Sequence, residues 1–319
     1  MKNFFLSMMA FVSVLSLSAC ADSGANQDLT SKENLETGNI TLKDFGKTIP
    51  VGIEEDGNGT LRVSFIIRAQ FFTIRPTKEN ESTVEMIRQA VKNETPIHVF
   101  IKPGTTEIAK VEKVNEEDLR YFKSLLTKEI KTEANKLTSV LPNVTTLNNM
   151  FTLIKNQACG TSTASSPCIT FRYPVDGCYA RAHKMRQILI SNGYDCEKQF
   201  VYGNLRASTG TCCVRWNYHV AILVSYKNAS GVTEKRIIDP SLFPGGPVTD
   251  AAWRAACTNS TCGSVSVSSY ANTAGNVYYR NPAGSVIYDN SYADTNCTLT
   301  TFAPLSGCSP SPAPDTYCP

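Results

Sequence analysis

The placement of cysteine constrains this chain more than any other feature. Twelve of its 319 residues are cysteine. None lies between residues 21 and 136; one is Cys20, and residues 137–319 hold Cys159, Cys168, Cys178, Cys196, Cys212, Cys213, Cys257, Cys262, Cys297, Cys308 and Cys318. The chain opens with "MKNFFLSMMAFVSVLSLSAC", one Lys followed by an apolar run that ends in small residues, the pattern of an export signal over residues 1–20. Disulfides persist in oxidising compartments, so the sequence reads as an exported, cysteine-free segment followed by a bridged domain. "LSAC" also matches a bacterial lipobox, which would place lipid on Cys20; the alternative is an ordinary signal that ends in cysteine. The expected localisation is secreted, either directly or through a lipid-anchored precursor. No later segment approaches the ~18 continuous apolar residues of a membrane span.

Charge divides the chain at the same place. Residues 21–136 hold 19 acids and 17 bases, residues 137–319 only 9 and 13. A net charge of +3, dispersed along the chain, gives no footprint for nucleic acid. The expected organisation is a signal at 1–20, a pro-segment at 21–136 and a second domain at 137–319.

Within the first region, "TLRVSFIIRAQFFTIRP" reads as a strand stopped by Pro76. "STVEMIRQAVKNE" has helical spacing and "PIHVFIKPG" reads as a short strand. "NEEDLRYFKSLLTKEIKTEANK" reads as a helix with acids at its start and Lys128, Lys131 and Lys136 towards its end. Lying cysteine-free behind a signal, this small α+β unit fits a pro-segment better than a binding module. In the second region "LPNVTTLNNMFTLIKNQ" reads as a helix and "CITFRYP" as a strand. A helix runs from Cys178 to about Ser191, stopped at Asn192-Gly193. "KQFVYGNL", "RWNYHVAILVSY" and "EKRIIDP" are strands, and the chain beyond Pro240 reads as loops held by bridges. The fold class is α+β.

Eleven cysteines in the bridged region leave one over if ten pair, and a leftover thiol in an exported chain is a candidate nucleophile. Cys178 begins an apolar stripe with Ala182, Met185 and Leu189. It lies in the first turn of its helix, where the macrodipole favours a thiolate and free N–H groups could hold an oxyanion. A half-cystine there by chance is the competing explanation. A cysteine nucleophile needs an imidazole, and the chain has three histidines. His98 lies in the pro-segment, and His183 points away around the helix of Cys178. His219 remains, with a hydrogen-bonded core histidine as its bland alternative. "RWNYHVAILVSY", "KNASG" and "VTEKRIIDP" form a hairpin in which a three- or five-residue loop sets residue 219 directly across from Asp239. Strand alternation puts Trp216 and Tyr218 on the other face, in the core. Local bridges such as Cys159–Cys168, Cys257–Cys262 and Cys297–Cys308 suit the spacing, which by itself does not fix connectivity. No spare histidine accompanies these cysteines, so no zinc site is expected.

"CGTSTASSPCITFRYPVDGCYARAHKMRQ", "YDCEKQFVYGN", "NYHVAILVSYKNASGVTEKRIIDPSLF" and "GCSPSPAPD" resemble the secreted bacterial protein-glutaminases, over essentially the whole chain. The resemblance places that family's catalytic Cys, His and Asp on Cys178, His219 and Asp239. It implies a papain/transglutaminase-like core, with Cys on a helix N-terminus and His and Asp on an antiparallel sheet. It also implies a mature enzyme beginning near Leu137 that deamidates protein-bound glutamine to glutamate, releasing ammonia without metal or cofactor. Expected partners are protein and peptide substrates with accessible glutamine, the chain's own pro-segment as inhibitor, and an outside activating protease acting on the lysine-rich "LTKEIKTEANK". The mature enzyme is expected to be a monomer. The triad alone also suits a transglutaminase or a cysteine peptidase. Gln70, within "IIRAQFFTIRP", either presents a glutamine to the site it covers or is simply a polar strand residue; the sequence leaves both open.

Overall fold

Residues 41–128, 139–309 and 318 are described by the structure, a computed structural model. The expected export signal, Cys20 and the expected cleavage point before Leu137 lie outside the described residues.

Alternating and continuous apolar runs build two small antiparallel sheets in the first region. Strands β1 (Lys43–Thr48), β2 (Pro50–Glu55), β3 (Leu61–Phe65), β4 (Phe72–Ile74), β5 (Ile97–Ile101) and β6 (Ile108–Lys113) pair in the orders β1-β5-β6 and β2-β3-β4. Helix α1 (Glu81–Asn93) buries Val84, Ile87 and Ala90 at helical spacing. These side chains join Phe45, Phe65, Phe72 and Val99 in a separate hydrophobic cluster. Helix α2 (Glu116–Leu125) starts where the Asn115 side chain accepts from the Asp118 amide, with three acids in its first turn.

The structure departs from the sequence reading twice here. The run from Thr60 to Pro76 is not one strand but β3 and β4. Between them Ile67 takes φ 55° and turns the chain out of the sheet, while Ile66 and Ala69 join the core of the second region. Helix α2 also ends at Leu125 instead of continuing, because β7 (Thr127–Lys128) pairs with a strand far along the chain, at Val286 and Ser285.

The second region comprises β8 (Val140–Leu141), α3 (Val144–Lys155), α4 (Cys178–Ser191), β9 (Glu197–Ser208), β10 (Cys213–Lys227), β11 (Thr233–Ile238), α5 (Asp250–Cys257), β12 (Ser266–Ala274), β13 (Val277–Arg280), β14 (Ser285–Tyr288) and α6 (Ala293–Phe302). The central sheet runs β11-β10-β9-β12, antiparallel throughout, with β8 added parallel to the end of β10. Helix α4 packs across β10 and beside α6 and α3. Two expectations fail. "CITFRYP" forms turns rather than a strand, since the Cys159–Cys168 bridge folds it back and only Ile169 makes an isolated β-bridge, to Ala158. The chain beyond Pro240 is not mainly loop. Helix α6, for example, buries Thr295 and Thr298 beside Leu299 and Phe302, so its inner face carries too many polar residues to show as an apolar stripe.

The disulfides are Cys159–Cys168, Cys212–Cys308, Cys213–Cys262 and Cys297–Cys318. The first is among the local bridges that the spacing suits. Cys257–Cys262 and Cys297–Cys308 do not form, because Cys257 faces inward from α5 and is fully buried, while Cys262 meets Cys213. Cys178, Cys196 and Cys257 are free thiols, so a single odd cysteine is not what distinguishes Cys178.

Candidate active site

Helix α4 begins at Cys178 because Gly177 caps it in a left-handed conformation, φ 78°. Any Cβ there would lie 2.8 Å from a ring carbon of Phe302, so the position requires glycine on both counts. Cys178 is buried, and the backbone N–H of Val220, the residue after His219, reaches its sulfur. Packing of α4 on β10 thus brings the thiol beside the histidine strand. Burial pushes the thiol up to about 12, against the pull of the Arg181 guanidinium. Arg181 is itself buried and donates to the carbonyls of Tyr173 and Asp176, at 2.9 and 2.6 Å.

The hairpin that carries His219 and Asp239 differs from expectation by two residues in register. Lys227 pairs with Thr233 and Ile222 with Ile238, which sets Asp239 across from residue 221 rather than 219. Because the shift is two residues, Asp239 stays on the His219 face, and the two meet diagonally. Nε2 of His219 lies 2.7 Å from Oδ2 of Asp239. A carboxylate accepts, so Nε2 carries the proton and Nδ1 keeps a lone pair. That Nδ1 is buried and has no hydrogen-bond partner among the described residues. Asp239 also accepts from the indole N–H of Trp253 at 2.9 Å and from the Ser241 amide at 3.2 Å. Burial alone would raise its carboxyl, but the His219 charge and the two side-chain hydrogen bonds hold it below the ordinary value.

Trp216 is a correction. The pairing with β9 is irregular between Trp216 and Tyr218, and the Trp216 ring stacks on His219 at 4.2 Å and 7°. Trp253 covers the imidazole at 5.5 Å. The Trp216 N–H donates to the Pro174 carbonyl at 2.8 Å, tying the histidine strand to the segment that leads into Cys178. Tyr218 keeps to the other face, against Tyr279 and Tyr202. Both Trp216 and Tyr218 are buried, as expected of core. His183 points away from this site, but it is not a surface residue; it is buried between the Asp289 carbonyl and Lys198. His98 lies in β5, paired with Asp44.

The chain between β3 and β4 is hydrogen-bonded to two residues that flank the site, Asp176 ahead of Cys178 and Asn217 ahead of His219. The Ala69 amide donates to Oδ1 of Asp176 at 2.9 Å, and the Ala69 carbonyl accepts from the Asn217 amide at 2.7 Å. The Asn217 side chain donates to the carbonyls of Arg68 and Gln70, at 2.9 and 3.2 Å. Ala69, rather than Gln70, is therefore the residue held between Asp176 and Asn217. The Gln70 side-chain amide is buried without a hydrogen-bond partner among the described residues. Asp176, Asn217 and Trp253 were not singled out as site residues from sequence. Only Trp253 left a trace, as the sole large ring in "DAAWRAAC". Among the described residues no group of His, Cys, Asp and Glu is arranged to hold a metal ion.

The family model described as glutaminase matches residues 147–257. A solved pro-protein-glutaminase is 74% identical, covering 86% of this chain and 97% of its own, with a TM-score of 0.82. A solved protein-glutaminase is 80% identical over 56% of this chain and 97% of its own, with a TM-score of 0.55. The NMR structure of protein-glutaminase from Chryseobacterium proteolyticum shares the same identity and coverage, with a TM-score of 0.54. No curated protein sequence matches the chain.

Proposed function

The chain belongs to the protein-glutaminase family, and from that premise we propose that Cys178, His219 and Asp239 are its catalytic residues. It is the precursor of a hydrolase that deamidates protein-bound glutamine. The observation that carries the assignment is the 2.7 Å contact between Nε2 of His219 and Oδ2 of Asp239. With Nε2–H committed to Asp239, the Nδ1 lone pair is left for the thiol proton of Cys178.

The chemistry follows from these positions. Nδ1 of His219 takes the proton of Cys178, and the thiolate attacks the carbonyl carbon of the glutamine side chain. N–H groups of the first turn of α4 stabilise the oxyanion. His219 returns its proton to the departing nitrogen, ammonia leaves, and a thioester on Cys178 remains. His219 then takes a proton from water; hydroxide opens the thioester, giving glutamate and the free thiol. Asp239 orients the imidazole and stabilises its cation. A cysteine at a helix N-terminus packed on an antiparallel sheet that presents His and Asp supports a papain/transglutaminase-like core.

Residues 21–136 act as an inhibitory pro-segment, supported by the hold on Ala69, which presents no carboxamide to the thiol. Maturation occurs before Leu137 by an outside protease and yields a secreted, monomeric enzyme; the export signal and the lysine-rich stretch support this reading. Product analysis tests it. Processed enzyme should convert protein glutamine to glutamate, read by mass spectrometry, with no incorporated amine and no new chain termini. Incorporated amine would establish a transglutaminase instead, and new termini a peptidase.

A further inference from the structure

Two residues after Ala69, Phe71 lies beneath the guanidinium of Arg215, 4.8 Å from the ring centroid. Arg62, from the pro-segment itself, approaches the same ring at 5.3 Å. The two arginines differ in one respect. Arg62 departs with the pro-segment, whereas Arg215 is fixed entirely from the enzyme side: its Nε donates to Oδ1 of Asn204 at 2.8 Å, and Asn204 donates to the Ser264 carbonyl at 2.8 Å. A cavity of about 290 Å³ adjoins Phe71, and its enzyme wall includes Tyr202, Gly203, Tyr218 and Tyr279.

We propose that Arg215, held by Asn204, forms a subsite of the processed enzyme for an aromatic side chain two residues after the reactive glutamine. The inference rests on the function proposed above, with Ala69 standing where the glutamine residue sits. Three backbone carbonyls, of Arg68, Ala69 and Gln70, are fixed by Asn217. A substrate segment gripped the same way has its next side chains set by chain geometry, as the grip on Arg68–Gln70 here sets Phe71 under Arg215. A guanidinium over a ring face is favourable and sequence-selective, and the cavity beyond Phe71 leaves room for Tyr or Trp. The rival occupant is a carboxylate, because Arg206 is paired beside Arg215 across β9 and β10. The tyrosine wall and the seated Phe71 favour the ring.

The test uses processed enzyme and glutaminyl peptides that differ only in carrying Phe, Ala or Asp two residues after glutamine, with a fourth carrying Phe two residues before it. Ammonia release gives kcat/KM. The wild type should favour Phe after glutamine over Ala by roughly three- to fivefold, chiefly through KM. The ratio should fall towards one in Arg215→Ala and, should that variant misfold, in Asn204→Ala. Equal rates on the Phe and Ala peptides, a preference for Asp, a preference for Phe before glutamine, or a ratio that survives both substitutions would overturn the subsite while leaving the deamidase reading intact. No ammonia from any peptide or from a glutamine-rich protein would overturn both.

Discussion

Trp253 donates its indole N–H to Oδ2 of Asp239, the same oxygen that receives His219. One carboxylate oxygen therefore fixes two rings, and those rings stack on each other. Trp253→Phe keeps an aromatic ring at the site but removes the N–H. Asp239, no longer held down by that bond, should rise towards the ordinary carboxylate range. The expected result is about a tenfold loss of kcat, with the acid limb of kcat/KM moving to higher pH. A lower rate with an unmoved acid limb would reduce Trp253 to packing.

In the precursor, burial pushes the Cys178 thiol up to about 12, so almost none is thiolate near neutrality. Lifting the pro-segment restores water and lets His219 share the proton. Alkylation by iodoacetamide at pH 8 should therefore be roughly a hundredfold faster at Cys178 in processed enzyme than in precursor, as read by peptide mapping. Equal labelling of the two forms would contradict masking by the pro-segment.

Lys198 lies fully buried, with Nζ 2.7 Å from Nδ1 of His183 and 2.5 Å from the Val277 carbonyl. His183 gives its Nε2 proton to the Asp289 carbonyl, so it accepts from Lys198 as a neutral ring. Burial lowers the lysine to about 7, far below its unfolded value. Between those values the unfolded chain binds more protons, so stability should rise with pH above about 7, by up to ~1.4 kcal/mol per pH unit for this one group. Denaturant melts of the precursor at pH 7, 8 and 9 would show that slope, and Lys198→Met should flatten it. A slope unchanged in the variant would assign it elsewhere.

Gly177→Ala should cost about 2–4 kcal/mol, combining left-handed strain with overpacking against Phe302. Chemical denaturation of the precursor measures it; a cost below ~0.5 kcal/mol would mean that Phe302 yields freely and that the capping turn is not a fixed feature of the site.

What the sequence made legible is what local pattern controls. The helix from Cys178 to Ser191 and its stop at Asn192 were readable because capping and turn chemistry are local. The hairpin placed Asp239 on the right face because parity depends only on whether the residue shift is even, although the exact partner was missed by two residues. Trp216 defeated simple alternation: its indole reaches the Pro174 carbonyl and stacks on His219, tertiary contacts that local pattern does not encode. The run around Ala69 read as one strand since nothing local signals that it bridges to Asp176, more than a hundred residues away. Bridge connectivity was equally hidden: Cys212 finds Cys308 across a separation of 96 residues, a pairing that only the packed sheet and tail bring together.

The most direct test of the account is ammonia release from a glutamine-rich protein by processed wild type and by Cys178→Ser, with circular dichroism establishing that both are folded. The account predicts steady ammonia release by the wild type and a loss of at least about a thousandfold in the variant. A folded Cys178→Ser enzyme that still deamidates at a comparable rate would remove Cys178 from the chemistry and with it the roles given to His219 and Asp239.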